Sequence, residues 1–162
     1  MSFRNYLKIL NSKEKEQIEN KLNEQFGIKK IPGIIVKHGE EKLFLFTGEI
    51  TEKQLREIEQ RIPIERIGVY FARIAEDKKG ETKIRLSIEG SQILKEQITK
   101  NIFELDEKQT EEWMMGRELN IKTGKRDFLI MKYKDDFLGT GKASELKISN
   151  FIPKERRLKE RS

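Results

Sequence analysis

Phe128-Leu-Ile-Met-Lys-Tyr-Lys-Asp-Asp-Phe-Leu-Gly-Thr-Gly-Lys-Ala143 is the stretch on which the reading of this chain turns. Phe128 to Tyr133 is a short run of large apolar residues, too short for a helix and bounded by charge, so it reads as a buried strand. Lys134-Asp-Asp supplies the turn, since Asp side chains bond their own backbone and suit reversals. Phe137 to Lys142 is a second strand, interrupted by Gly139 and Gly141. Glycines inside a strand bend it sharply or admit another backbone.

Two further short runs flank this hairpin, Arg117 to Ile121 before it and Lys147 to Ile152 after it, with Gly124-Lys-Arg-Asp127 as another turn. Closely spaced short strands of this kind predict a small β-barrel.

The residues before Gly116 have a different texture. Asn11 and Glu14 have capping-box spacing, Ile18, Leu22 and Phe26 recur every fourth residue, and Gly27 follows, which predicts a helix over 12–26. Ile31 to Lys37 and Lys42 to Thr47 read as a hairpin turning at His38 to Glu41. Thr51 and Gln54 start a second helix that ends at Pro63. Arg66 to Ile74 and Thr82 to Ser87 pair across Asp77 to Gly80. Ser87 caps a helix through about Lys100, with Ile93, Leu94 and Ile98 inward. Asp106 and Gln109 cap a short helix carrying Trp113. The spacing of Trp113 predicts packing between the two parts, with an exposed base-stacking platform as the alternative. The fold class is α+β: an N-terminal mixed α/β domain over 1–105, then a small C-terminal β-barrel domain over 106–162.

Charge divides a little further along the chain, between residues 119 and 120. The chain holds 34 Lys/Arg and 28 Asp/Glu, a net charge of +6. From Asn120 to Ser162 there are twelve basic and six acidic residues, so the first 119 residues are neutral and the last 43 carry the whole surplus. A basic segment behind a neutral one is an electrostatic footprint for a polyanion. Apolar residues make up 35% and charged residues 38% of the chain. The Glu, Lys and Ile bias, with no Cys and only three Pro, leans towards a thermophile with a dense surface ion-pair network, although an AT-rich genome gives the same bias.

Several chemistries fall away. Without cysteine there is no thiolate nucleophile or thiolate zinc site, and one histidine, His38, leaves no His pair for a metal. A Walker loop needs glycine five positions before the Gly-Lys pair and a hydroxyl after it, whereas Asp136 and Ala143 stand there. Asp135 and Asp136 are turn residues rather than an acid/base pair. No catalytic residue, metal or cofactor is nominated. With no long apolar run and no signal-peptide pattern at the N-terminus, a cytoplasmic protein without membrane contact is expected.

Trp113-Met-Met-Gly-Arg-Glu-Leu119, then Phe128 to Ala143, then Ile148-Ser-Asn-Phe-Ile-Pro-Lys-Glu-Arg-Arg157 together resemble a PUA domain. Leu138 to Ala143 stands for its Leu-Gly-x-Gly-x-Ala signature. More narrowly the stretch is similar to the PUA-like module of Sun/Fmu-type RNA cytosine-5 methyltransferases, with Asn150 to Pro153 as the closing Asn-x-x-Pro-like segment. In layout the whole chain resembles small archaeal ribosome-biogenesis proteins. The resemblance implies RNA binding without methyl transfer, because those enzymes use a cysteine thiolate in a separate cofactor-binding domain. It makes the chain a non-enzymatic protein of ribosome biogenesis or RNA modification. Its partners are rRNA or tRNA, and a ribosome-assembly or RNA-modification protein besides. The expected RNA-binding residues are Arg117, Lys125, Arg126, Lys142, Lys147, Lys154, Arg156 and Arg157 at phosphates and Asn150 at a base or ribose. Arg156 and Arg157 follow Pro153 and fit no apolar period, so replacing both is expected to cost little stability. Two other readings stay open: a protein-interaction subunit of an RNA-processing complex, and an RNA-modifying enzyme whose chemistry the sequence does not display.

Overall fold

Asn11 Oδ1 accepts the Glu14 amide at 2.9 Å while Glu14 Oε1 accepts the Asn11 amide at 3.1 Å, so the capping box forms as its spacing predicts. In the computed structural model, which describes residues 7–47, 51, 53–54 and 68–159, this box opens helix α1 (Ser12–Phe26). Gly27 closes it at φ 82°, a left-handed value that glycine adopts without strain. The helix buries Ile18, Leu22 and Phe26.

That face packs on an antiparallel sheet running in chain order, β1 (Leu7–Ile9), β2 (Ile34–His38), β3 (Lys42–Phe46), β4 (Val69–Glu76) and β5 (Thr82–Leu86). Ile35, Leu43, Leu45, Phe71, Ile84 and Leu86 meet the helix in one apolar cluster. The edge of β5 is protected by Gln25, whose amide donates to the Ile84 carbonyl at 2.9 Å and accepts the Ile84 amide at 2.8 Å. A side chain here satisfies backbone groups that would otherwise offer an open edge. Thr51 and Gln54 make their capping bonds. The rest of the helix expected after them lies outside the described residues.

A second, curled sheet of half-barrel form follows. It comprises β6 (Ile102–Glu104), β7 (Phe128–Tyr133), β8 (Asp136–Ala143) and β9 (Ile148–Ser149), in that order. β6 runs parallel to β7 and the other pairs are antiparallel. This sheet therefore begins at Ile102, a few residues ahead of the expected start at 106. Both faces are covered, which is why Phe128 to Met131 is apolar without alternation. Phe128 and Ile130 join the apolar cluster of the front half, whereas Leu129 and Met131 join a second cluster with Trp113, Leu119, Ala143, Ile148 and Ile152.

Four expectations need correction. Helix α2 spans only Ile88–Ile93, and a 3-10 turn, Lys95–Gln97, follows. Gln97 is drawn to the end of α1, where its carbonyl accepts the Lys29 and Lys30 amides. Ile93, expected inward, is 41% exposed, while Leu94 and Ile98 are buried. The run 147–152 keeps only the two-residue strand β9 and the run 117–121 forms no strand, with Leu119 and Ile148 exchanging two backbone bonds as an isolated bridge. The Ile121 amide then turns back on Leu119, and Asn150 captures the Ile152 amide ahead of Pro153. Trp113, on α3 (Glu107–Met114), is neither a spacer between the halves nor an exposed platform. It lies wholly buried in the second cluster, and its indole N–H donates to the Leu138 carbonyl at 2.9 Å.

The glycines of β8 act through close approach. A Cβ on Gly141 would lie 2.8 Å from Trp113 Cη2 and 2.6 Å from Ile148 Cγ2. Gly139, at φ 81°, brings β8 against the backbone where β5 meets α2. There the Gly139 amide donates to Ser91 Oγ, the Leu86 amide to Thr140 Oγ1 and the Phe137 amide to Gln92 Oε1. These bonds, with the shared apolar cluster, join the two sheets.

Candidate nucleic-acid interface

The basic residues singled out in the sequence fall into groups set by the second sheet. The Leu119–Ile148 bridge sets Lys147 against the segment that follows Arg117, where Lys147 Nζ meets Glu118 Oε2 at 2.5 Å. Asn150 sits beside them. Its amide nitrogen donates to the Trp113 carbonyl at 2.9 Å and the Arg117 carbonyl at 3.0 Å, and its Oδ1 accepts the Ile152 amide at 2.8 Å. Asn150 is thus a staple between the end of α3 and the segment after β9, with both amide groups engaged internally.

Lys125 and Arg126 occupy the loop before β7. Thr123 Oγ1 accepts the Lys125 amide, and Arg126 reaches Glu145 at 3.4 Å with both side chains largely exposed. Lys142 is half-buried on β8, its Nζ 5.7 Å from the centre of the Phe128 ring. Lys154 and Arg156 lie on a short 3-10 turn, Lys154–Arg156. Arg156 pairs with Glu89 of α2, across the junction of the two halves.

Arg157 turns inward. Its Nε donates to the Ile152 carbonyl at 2.9 Å, and its side chain covers Gly116, where an added Cβ would lie 2.3 Å from that Nε. The Leu158 amide then bonds the Met114 carbonyl at 2.8 Å. This segment is fastened to the domain, and the expectation that Arg157 is dispensable for folding is corrected accordingly. The exposed pairs of Lys147, Arg126 and Arg156 are a different matter. Such pairs are worth about 0–1 kcal/mol, so a phosphate competes readily for the cation.

Two residues that the linear charge distribution passes over also belong here. Arg85, on β5, places its guanidinium 3.9 Å above the Phe151 ring, and Phe151 lies 6.3 Å from Phe128. Arg85 lines a cleft between the sheets with Tyr70, Ser87, Gly139 and Pro153, whose volume of about 30 Å³ holds roughly one water. Burial lowers the Arg85 pKa and raises that of Tyr70, with the neighbouring guanidinium groups of Arg85 and Arg73 opposing the Tyr70 rise. Arg85 was legible as one of the polar positions of the alternating run Thr82 to Ser87. Its meeting with Phe151 was not. A wider groove of about 460 Å³ runs along α3 and is lined by acidic and basic groups, among them Asp106, Glu112, Arg117 and Glu118. No described helix is long and apolar enough to cross a membrane.

Residues 100–158 match the family described as the methyltransferase RsmF PUA domain. The chain thus carries a PUA domain resembling the C-terminal module of Sun/Fmu-type enzymes, and residues 1–99 lie outside the match. No curated protein matches the chain.

Proposed function

We propose, from the PUA domain over residues 100–158, that this protein binds structured RNA and acts without catalysis of its own in ribosome biogenesis or in rRNA or tRNA modification. One observation carries the reading: the family match covers most of the segment that holds the whole net positive charge. Phosphate contacts supply salt-dependent affinity and fix register. The cations we assign to them are Arg117, Lys125, Arg126, Lys142, Lys147, Lys154 and Arg156, and the weak, exposed ion pairs of Arg126, Lys147 and Arg156 support that reading.

The test is a salt titration of the full chain on a stem-loop RNA. If about four phosphates are neutralised, log affinity falls against log salt with a slope of roughly −3 to −4. A flat dependence overturns the electrostatic reading. The non-enzymatic part is tested with labelled S-adenosylmethionine and total RNA. The chain has no cysteine to attack a base, so no label is expected in the RNA. Reproducible incorporation overturns that part.

A further inference from the structure

The Arg85 Nε is buried and has no hydrogen-bond partner among the described residues. A buried guanidinium donor left unpaired costs free energy, and such groups in folded proteins are ordinarily satisfied. The rest of the side chain is half-buried and lies over Phe151. Phe151 keeps 36% of its surface exposed even though Arg85 covers one side of its ring. Its position follows from the sheet. Phe128 faces Lys142 across β7 and β8, and Lys142 faces Ser149 across β8 and β9. Phe151 then follows β9 and meets Phe128 at its ring. On the other side of the junction Arg73 is the cross-strand partner of Arg85. Cations from both halves thus flank the exposed Phe151 ring, which is backed by the buried Phe128: Arg73 and Arg85 from the front sheet and Lys142 from the second.

We infer that Arg85 and Phe151 form a platform for one unpaired RNA nucleotide, with the base stacked on Phe151 and its phosphate held by Arg85. The inference rests on the RNA-binding reading above and deepens it. It extends the interface into the front half, ahead of the segment that holds the net positive charge, and gives it a preference for single-stranded nucleotides. Aromatic rings stack on any base, and cations beside them track the backbone. The cleft beneath is too small for a base, so the nucleotide lies on the ring rather than inside the protein. Two carboxylates near this strip are themselves paired with cations, Glu41 with Arg73 and Glu89 with Arg156, through exposed pairs that a phosphate can displace.

The experiment compares the full chain with Phe151→Leu and Phe151→Tyr on two probes, a stem-loop RNA with an unpaired loop and a blunt RNA duplex. Phe151→Leu is expected to weaken loop binding roughly tenfold while leaving duplex binding unchanged, and Phe151→Tyr to restore it. Equal loss on both probes, or no loss on either, overturns the platform while RNA binding stands. If the wild-type protein binds neither probe, the RNA-binding reading itself fails and the platform with it. Should Phe151→Leu melt out, wild-type protein irradiated with loop RNA carrying 5-iodouridine decides. A crosslink on the peptide containing Phe151 supports the inference, and crosslinks confined to other peptides overturn it.

Discussion

Arg156→Ala and Arg157→Ala are expected to separate RNA binding from folding, although the two residues are neighbours in sequence. Arg157 donates to the Ile152 carbonyl at 2.9 Å and packs on Gly116, so its removal strips a charged donor from that carbonyl and uncovers the glycine. A hydrogen bond to a charged group contributes roughly 1.5–3 kcal/mol, and we take about 2 kcal/mol for this half-buried case. For a chain of this size each kcal/mol moves Tm by roughly 2–4 °C, so Arg157→Ala should melt about 4–8 °C lower. Arg156 pairs with Glu89, but the two side chains remain 53% and 33% exposed. Solvent screening leaves such a pair about 0–1 kcal/mol, so Arg156→Ala should shift Tm by at most roughly 4 °C, and less at high salt. Binding reverses the order: Arg156→Ala is expected to reduce the salt slope by about 1, and Arg157→Ala to leave it unchanged per folded molecule. Thermal melts at low and high salt, together with RNA salt titrations on both variants, provide the measurement. If Arg157→Ala melts with the wild type while its salt slope drops, Arg157 contacts phosphate and the clamp on Gly116 is not a stabilising one.

Two further outcomes follow from single contacts. Gln25→Leu removes both partners of the buried Ile84 amide and carbonyl, at a cost of roughly 1–3 kcal/mol for each unsatisfied group. The Ile84 amide should lose hydrogen-exchange protection, and unaltered protection would show that another group covers the β5 edge. The Glu14 pKa lies below its ordinary value of 4.5, first through the Lys8 ammonium bonded to it and next through the Asn11 amide. A depressed folded-state pKa means stability that is present above 4.5 and is lost as pH falls through the folded value. The Tm gap between wild type and Glu14→Gln should therefore narrow as pH drops below about 4.5. A gap of constant width down to pH 3 (roughly a unit below the ordinary range) sinks this account.

Much of the fold was legible because its signals are local. The boxes at Asn11 and Asp106 and the left-handed Gly27 involve residues within one helical turn, and each formed where its spacing placed it. The hairpins at His38 to Glu41 and Lys134-Asp135 are equally short in range. Strands β1 and β6 were missed. Each is three residues long and exists through backbone bonds to a distant partner, β2 for one and β7 for the other. The candidate interface was half legible. Charge along the chain marked a segment that the family match largely covers, but the roles of Asn150, Arg157 and Trp113 depend on carbonyls and rings that the fold alone brings within reach.

By itself the sequence determined the helix ends, the turns, the segregation of charge and the Leu138 to Ala143 signature, all of which are properties of residues near one another in the chain. Only the tertiary structure decided which cations remain at the surface, which are folded inward, and that Arg85 meets Phe151 across the junction of the two sheets. The reason is physical. Capping and turn preferences act over three or four residues, whereas burial and the satisfaction of a particular donor depend on elements 30 to 70 residues away, as the bonds of Gln25 to Ile84 and of Asn150 to Trp113 illustrate.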